Sequence, residues 1–151
     1  MDAANPKFFI PHSTIHPRET TMLELSFYCD KEASILEMAG GHRILHLGCV
    51  GNTDQPTDLK VKLASRTLHA RLTETAALTL GIDLDADAVK SLLDAGVFDN
   101  IRYGDACDLD PREVGTNWDL VVVGDLIEHG RIQTVSEYLG EDSFRLVGCM
   151  V

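Results

Sequence analysis

Short apolar runs alternate with helical patterns along this chain, and this alternation constrains the fold more than any other feature of the sequence. Runs typical of buried strands cover residues 43–47, 77–83, 100–103, 118–123 and 144–151. Helical patterns cover residues 30–39, 61–76, 85–96 and 126–139. Strands that are separated by helices form parallel sheets with right-handed crossovers. The sequence therefore predicts an α/β fold with a doubly wound, mainly parallel sheet of about five strands.

Local signals set the predicted boundaries of these elements. Apolar residues recur at three- and four-residue steps from Val61 to Ala76, which predicts a single amphipathic helix. Asp85 is a predicted helix N-cap, and Gly96 is the predicted stop of the same helix. The valine-rich run that begins at Trp118 lacks alternation, as is typical of a strand buried on both faces. The connection before it is predicted to be irregular.

A single domain is predicted from residue 30 to residue 151. The chain of 151 residues has room for one hydrophobic core of ordinary size. Residues 1–29 contain three prolines and show no helical or strand pattern. We expect them to form an irregular N-terminal segment, or a lid over the domain.

Charge and cysteine usage exclude several classes of function. The net charge of −11 repels phosphate backbones and anionic lipids, which argues against direct nucleic-acid or membrane binding. The apolar runs are too short to span a bilayer, and the N-terminus has no pattern of a signal peptide. The four cysteines form no CxxC pair, which argues against a zinc knuckle or a dithiol redox site. The simplest interpretation is a cytoplasmic protein with free thiols.

Residues suited to binding a nucleoside follow four of the predicted strands. In doubly wound sheets, ligands bind beyond the carboxyl ends of the strands. The first strand ends in the small-residue loop 46–52, whose glycines permit close approach of a ligand. The second ends at Asp83, whose carboxylate can accept both hydroxyls of a ribose, and Leu84 offers an apolar face to a base. The third and fourth are followed by acidic segments, 104–106 and 124–129.

Taken together, these segments resemble the class I S-adenosylmethionine-dependent methyltransferases. The resemblance covers residues 43–151 and is carried by HLGCVGN, GIDLDADAV, NIRYGDA and WDLVVVGDLIEHG. No one of the four is specific, but their order and spacing together are. The resemblance implies a Rossmann-like methyltransferase fold, S-adenosylmethionine as cofactor, and methyl transfer to a small-molecule acceptor.

The resemblance also implies a role for the first loop. Gly48, Cys49 and Gly51 would pass beneath the methionine moiety and the ribose. His46 stands where the family usually has an acidic residue, so it would lie near the ligand's ammonium without a fixed negative charge. Val50 replaces one of the family's glycines and would narrow the loop. We interpret the site as modified rather than lost.

The remaining implied roles fall after the second, third and fourth strands. Asp83 would hold the ribose hydroxyls, and Leu84 would contact the adenine. Asp105 would bind the adenine amine, and Ala106 would contribute its backbone. The residues bordering the methionine part and the methyl-transfer site would be Gly124 and Asp125.

Three chemical alternatives remain open at this point. His129 is the candidate general base, because its ordinary pKa lies near neutrality. Asp125, Glu128 and His129 form an alternative metal cluster, but no further ligand is evident, so no metal is predicted. Cys49 is a candidate nucleophile, but no partner base is marked, and packing of a small side chain is the better interpretation.

Two other functions compete with methyl transfer. A nicotinamide-dependent oxidoreductase requires the loop G-x-G-x-x-G, but this chain has Val50 and Thr53 at the second and third glycines. A non-catalytic binding or scaffold module is consistent with the altered loop. The resembled family typically has further strands after the fifth, whereas this sequence supplies about five. We therefore expect the sheet to lack its C-terminal strands. We expect either that the chain is a fragment of a longer protein, or that a second copy or a partner chain covers the apolar edge at residues 144–151.

Overall fold

The structure, a computed structural model, describes residues 31–51, 54–115, 117–123 and 146–148. Two predicted features lie outside these residues, namely the N-terminal segment 1–29 and the helix 126–139. The described part contains five α-helices, one 3-10 turn and five strands. The helices are α1 (Lys31–Ala39), α2 (Thr57–Leu63), α3 (Leu68–Thr75), α4 (Ala86–Asp94) and α5 (Pro111–Val114). The strands are β1 (Arg43–Leu47), β2 (Leu78–Asp83), β3 (Ile101–Tyr103), β4 (Leu120–Val123) and β5 (Leu146–Gly148).

The five strands form one sheet in the order β3-β2-β1-β4-β5, and every neighbouring pair is parallel. The strand order reverses direction at β1, because the chain first builds outward through β2 and β3 and then returns to add β4. This confirms the predicted doubly wound parallel sheet. It also places the carboxyl ends of β1 and β4 side by side, with Leu47 in register with Val123.

Alternate residues of the central strands enter two separate cores, one on each face of the sheet. On one face, Ile44 of β1 packs with α1 and with Leu72 of α3. On the other face, Leu45 and Leu47 pack with Val114 of α5. Because β1 lies between β2 and β4, both of its faces are buried, which explains its continuous apolar pattern. None of the described helices, of which the longest have nine residues, is long and apolar enough to cross a bilayer.

The single helix predicted across residues 61–76 is wrong. The segment is α2, a 3-10 turn over Ala64–Arg66, and α3, separated at Thr67. Thr67 is extended, with φ −76° and ψ 160°, and its hydroxyl accepts a hydrogen bond from the Ala70 amide. The apolar spacing continues through the break, although Val61 and Ala64 pack in one core cluster and Leu72 packs in another. The spacing therefore did not reveal a threonine that caps the second helix.

The irregular connection predicted before the fourth strand contains a helix that the sequence pattern did not reveal. The helix α5 has only four residues, and Pro111 opens it directly after the N-cap Asp110. Asp110 accepts a hydrogen bond from the Arg112 amide. One helical turn is too short to show periodicity, although a proline after a capping aspartate is a start signal.

Replacing Thr67 with alanine should lower the free energy of unfolding by about 1 kcal/mol, the usual effect of losing an N-cap side chain. The hydroxyl also donates to the Ala64 carbonyl at 2.7 Å, so it connects the 3-10 turn to α3. Urea unfolding monitored by circular dichroism measures the change. Thr75→Ala is the matched control, because the exposed Thr75 hydroxyl only donates back to the carbonyl of Arg71 within the same helix. Equal stability of the two variants would contradict the prediction.

Candidate functional site

The carboxyl ends of β1, β2 and β3 meet at one rim of the sheet. The amide of Gly48, just after β1, donates to the carbonyl of Ile82 in β2 at 2.8 Å. The amide of Gly104, just after β3, donates to the carbonyl of Asp83 at 2.9 Å. The first loop and the segments after β2 and β3 are therefore linked by backbone hydrogen bonds. The structure brings together three of the four segments that the sequence singled out, and the fourth, 124–129, lies outside the described residues.

The first loop turns sharply, and its glycines allow the turn. Gly48 has φ 75° and Gly51 has φ 87°, a backbone conformation that side chains disfavour. Between them, the side chains of Cys49 and Val50 are buried in the core beneath α4. The side chain of Val50 therefore packs inward, and it is the backbone of the loop that faces the rim.

Asp83 lies at the junction between this loop and the end of β2. Asp83 is 8% exposed. Each oxygen of its carboxylate accepts a hydrogen bond from a backbone amide. Oδ2 accepts from the Val50 amide at 2.8 Å, and Oδ1 accepts from the Asp85 amide at 3.0 Å. A carboxylate oxygen has two lone-pair sites, so each oxygen retains capacity for one further donor. The orientation of the carboxylate is thus fixed before any ligand arrives.

The segment after β3 is more open than the turn at Asp83. Asp105 is exposed, and its Oδ1 accepts from the Cys107 amide at 2.8 Å. Ala106 is half-buried against the core that contains Val114. Leu84 is 58% exposed. The two predicted adenine contacts, Leu84 and Asp105, therefore follow neighbouring strands and are accessible to a ligand.

His46 is buried and faces α3 through a hydrogen-bonded chain of side chains. Its Nδ1 lies 3.2 Å from Nδ1 of His69, and Nε2 of His69 lies 3.2 Å from Oδ1 of Asn100. The Asn100 amide nitrogen donates to Thr73 and to the carbonyl of Thr79, so its oxygen accepts from His69. Neutral His69 then accepts at Nδ1, and His46 is the donor.

Burial strongly favours the neutral form of His46. Removal from water, and secondarily the neighbouring His69, lowers the pKa of His46 from its ordinary 6.5 to about 3. Burial also lowers the pKa of His69. Where the resembled family has an acidic residue, this chain therefore has a neutral ring hydrogen-bonded to its own core. No pattern in the sequence indicated His69, which lies 23 residues after His46.

Lys60 is a second residue that the sequence analysis missed. Its side chain is 2% exposed, and Nζ lies 2.6 Å from Oδ2 of Asp85. The hydrogen bond from Lys60 is the main reason that the pKa of Asp85 is lowered. The sequence did contain an indication that Lys60 is buried. Lys60 is four residues before Ala64, and this spacing places Lys60 on the same helical face as the buried Ala64.

Cys49 has the features of a packed side chain rather than of a nucleophile. It is buried, and burial raises the pKa of its thiol. A Cβ atom on Gly81 would lie 2.7 Å from Cys49 Sγ, so the thiol fills the space that this glycine leaves. A protonated and enclosed thiol is a poor nucleophile.

The predicted site residues Gly124, Asp125 and His129, and with them the alternative metal cluster, lie outside the described residues. Within residues 31–51, 54–115, 117–123 and 146–148, no three histidine, cysteine, aspartate or glutamate side chains are grouped so that they could hold a metal ion.

Comparisons with known proteins support the fold. No family model matches the sequence, and no curated protein matches it significantly. Among solved structures, the YcgJ protein from Bacillus subtilis is similar with a TM-score of 0.51 and 15% identity, over 80% of this chain and 50% of that one. An S-adenosylmethionine-dependent methyltransferase from Mesorhizobium loti is similar with a TM-score of 0.48 and 21% identity, over 79% of this chain and 53% of that one. This chain therefore spans about half the length of these structures.

At these identities, the similarity concerns the fold alone. The strand order β3-β2-β1-β4-β5 of this chain is that of a parallel, doubly wound sheet, and the similarity to YcgJ supports this fold. The doubly wound, mainly parallel α/β fold predicted from the sequence is confirmed.

Proposed function

We propose that this chain binds S-adenosylmethionine at the rim formed by β1, β2 and β3, and that it takes part in methyl transfer to a small-molecule acceptor. The observation that carries the proposal is the carboxylate of Asp83. It is fixed by two backbone amides, retains lone pairs, and lies beside the glycine turn at Gly48. A carboxylate at the end of the second strand, next to such a turn, suits a ribose diol.

The residues present fit the nucleoside part of this cofactor. The two ribose hydroxyls would donate to the two oxygens of Asp83, one to each. The backbone of Gly48 and Gly51, which have no side chain, would lie beneath the ribose and the methionine part. Cys49 would contribute its backbone there, because its side chain is directed into the core.

Binding of the adenine is proposed for the segments after β2 and β3. Leu84 would contact the face of the base with its exposed side chain, and Asp105 would accept the exocyclic amine. Ala106 would contribute its backbone to the same pocket. The hydrogen bond between the Gly104 amide and the Asp83 carbonyl keeps the two segments adjacent. Ribose and adenine contacts are thereby held at one rim.

The cofactor, when bound, supplies an activated methyl group on its sulfonium, so the protein needs no strong nucleophile. What this chain must do is hold the donor, align the acceptor and exclude water. We propose that Gly124 and Asp125 border the transfer site and that His129 removes a proton where the acceptor carries one.

A non-catalytic binding module is the second candidate, and one observation favours it. The neutral ring of His46 is hydrogen-bonded to His69 and is 3% exposed. It therefore supplies no negative charge toward a ligand ammonium at the position where the resembled family has an acid. A module of this kind would keep the sheet and the glycine turn but bind the cofactor weakly or not at all.

Calorimetric titration with S-adenosylmethionine and S-adenosylhomocysteine tests the proposal. We expect the wild type to bind both, and Asp83→Asn to bind more weakly by about 1.5–3 kcal/mol, because hydrogen bonds to a charged group are lost. Asparagine can accept from only one of the two backbone amides that Asp83 binds, so urea unfolding of the variant is measured beside the titration to show that it remains folded. The exposed Asp87 in the first turn of α4 gives the control Asp87→Asn, which should bind as the wild type does. Absence of binding by the wild type would contradict the proposal and favour the non-catalytic module.

A further inference from the structure

We infer that Lys60 is a positioning residue, which holds the ribose-binding carboxylate of Asp83 and the first loop in one arrangement. This inference rests on the proposed function. Lys60 lies in α2, beyond the loop, and it has no place in the motifs that the sequence shares with the methyltransferases. Its ammonium is nevertheless enclosed, with the side chain 2% exposed, and contacts a carboxylate of the turn after β2.

Asp85 transmits this contact to Asp83. One carboxylate oxygen of Asp85 binds Lys60 at 2.6 Å, and the other accepts from the Ala88 amide at 3.0 Å as the N-cap of α4. The backbone amide of Asp85 donates to Oδ1 of Asp83. Asp85 is therefore held through both its side chain and its backbone. Its amide in turn fixes one oxygen of the Asp83 carboxylate.

The same arrangement ties the first loop and α2 to the turn after β2. Within the loop, the Val50 amide binds Oδ2 of Asp83 at 2.8 Å. Beyond the loop, Lys60 of α2 binds Asp85 at 2.6 Å. Asp83 and Asp85 are only two residues apart, so the loop and α2 are held by one short segment. In this inference, the contact of Lys60 supports the arrangement in which the Val50 amide meets Asp83.

Burial distinguishes this ion pair from the others nearby. Lys62, two residues on, also pairs with an aspartate, Asp58, but at 4.0 Å and with both side chains about three-quarters exposed. Such exposed pairs contribute little, because water competes for both groups. The ammonium of Lys60 is removed from water, so it is stabilised by its ion pair with Asp85. This ion pair is what holds α2 against the turn after β2.

The experiment compares Lys60→Met with the matched control Lys62→Met. Methionine keeps the length of the apolar stem, and the carboxylate left behind on Asp85 is 25% exposed, so water can solvate it. We expect Lys60→Met to bind S-adenosylhomocysteine about tenfold more weakly, by analogy with the lower end of the losses seen when the supporting partner of a metal ligand is removed. Lys62→Met should bind as the wild type does.

Two further measurements separate positioning from general destabilisation. Hydrogen exchange of the Val50 amide in the unliganded protein should be faster in Lys60→Met, while exchange in the central strand β4 stays at the control rate. In the background of Asp83→Asn, Lys60→Met should weaken binding further by less than it does alone, because both changes act on one carboxylate.

The outcomes distinguish this inference from the proposed function. If the wild type binds no S-adenosylhomocysteine, the proposed function is wrong, and the Val50 exchange rates still decide whether Lys60 holds the loop. If the wild type binds and Lys60→Met matches Lys62→Met in affinity and in Val50 exchange, the inference is overturned alone. Fully additive effects of Lys60→Met and Asp83→Asn would also overturn it, because Lys60 would then act elsewhere.

Discussion

Lowering the pH from 7 to 4 should remove on the order of 3 kcal/mol of folding free energy through His46 alone. The native pKa of His46 is about 3, whereas the unfolded chain protonates near the ordinary value of 6.5. Between these two values the unfolded chain binds a proton that the native protein does not. Unfolding is therefore favoured as the pH falls. The stabilisation is complete above pH 6.5 and is lost progressively down to about pH 3.

The structure gives a specific reason for this sensitivity. His46 is 3% exposed and lies in the sheet beneath α3, so an added charge has no access to water. His69, stacked against it with ring centroids 5.4 Å apart, also has a lowered pKa, and protonation of both rings would place like charges in contact. Nδ1 of His46 already carries the proton that it donates to His69, so a second proton on His46 adds to Nε2 and leaves this hydrogen bond intact. The cost of protonating His46 is therefore the charge placed in the core.

Urea unfolding at a series of pH values between 7 and 4 measures the effect. His46→Gln keeps a donor for His69 but does not titrate, so its stability should fall less steeply with acid than that of the wild type. His42→Gln removes an exposed histidine and is the control, expected to follow the wild type. Carboxylates with lowered pKa, such as Asp85, destabilise all three proteins alike in acid and cancel in the comparison. Parallel curves for His46→Gln and the wild type would show that His46 does not titrate on unfolding.

Replacing Gly81 with valine should lower the free energy of unfolding by about 3 kcal/mol or more, through overpacking of the core. A Cβ atom at this position would lie 2.7 Å from both Cys49 Sγ and His69 Cε1. Both atoms are buried and belong to short or rigid side chains, so they cannot swing away. Gly81 also lies in β2 between β1 and β3, which leaves the strand no freedom to move outward.

Chemical denaturation of Gly81→Val, with Gly81→Ala as a smaller step, measures this prediction. Gly40→Val is the control, because a Cβ atom at Gly40 would meet nothing closer than the Glu37 carbonyl at 3.7 Å. The control should change stability by less than about 1 kcal/mol. A stable Gly81→Val would mean that Cys49 and His69 can repack, and the hydrogen-bonded arrangement of His46 would then have to be revised.

The sequence by itself determined the order of the five strands and the rim where the candidate site lies. Arg43 to Leu47 was predicted as a strand to the residue, and the cap at Asp85 was predicted correctly. These features are local, because hydrophobic periodicity, glycine turns and capping residues act within a few positions of the chain. Once the strands are parallel, their carboxyl ends share one rim, so the loop at Gly48 and the turn at Asp83 had to meet.

Only the tertiary structure decided which side chains these residues contact. The break at Thr67 left the apolar spacing intact, and nothing near His46 in the chain indicated that His69 would be its partner. Whether Lys60 extends into water or binds Asp85 depends on how α2 packs against α4. Desolvation and pairing depend on segments that are distant in the chain. A sequence pattern shows which residue types are available, and packing determines which of them are enclosed together.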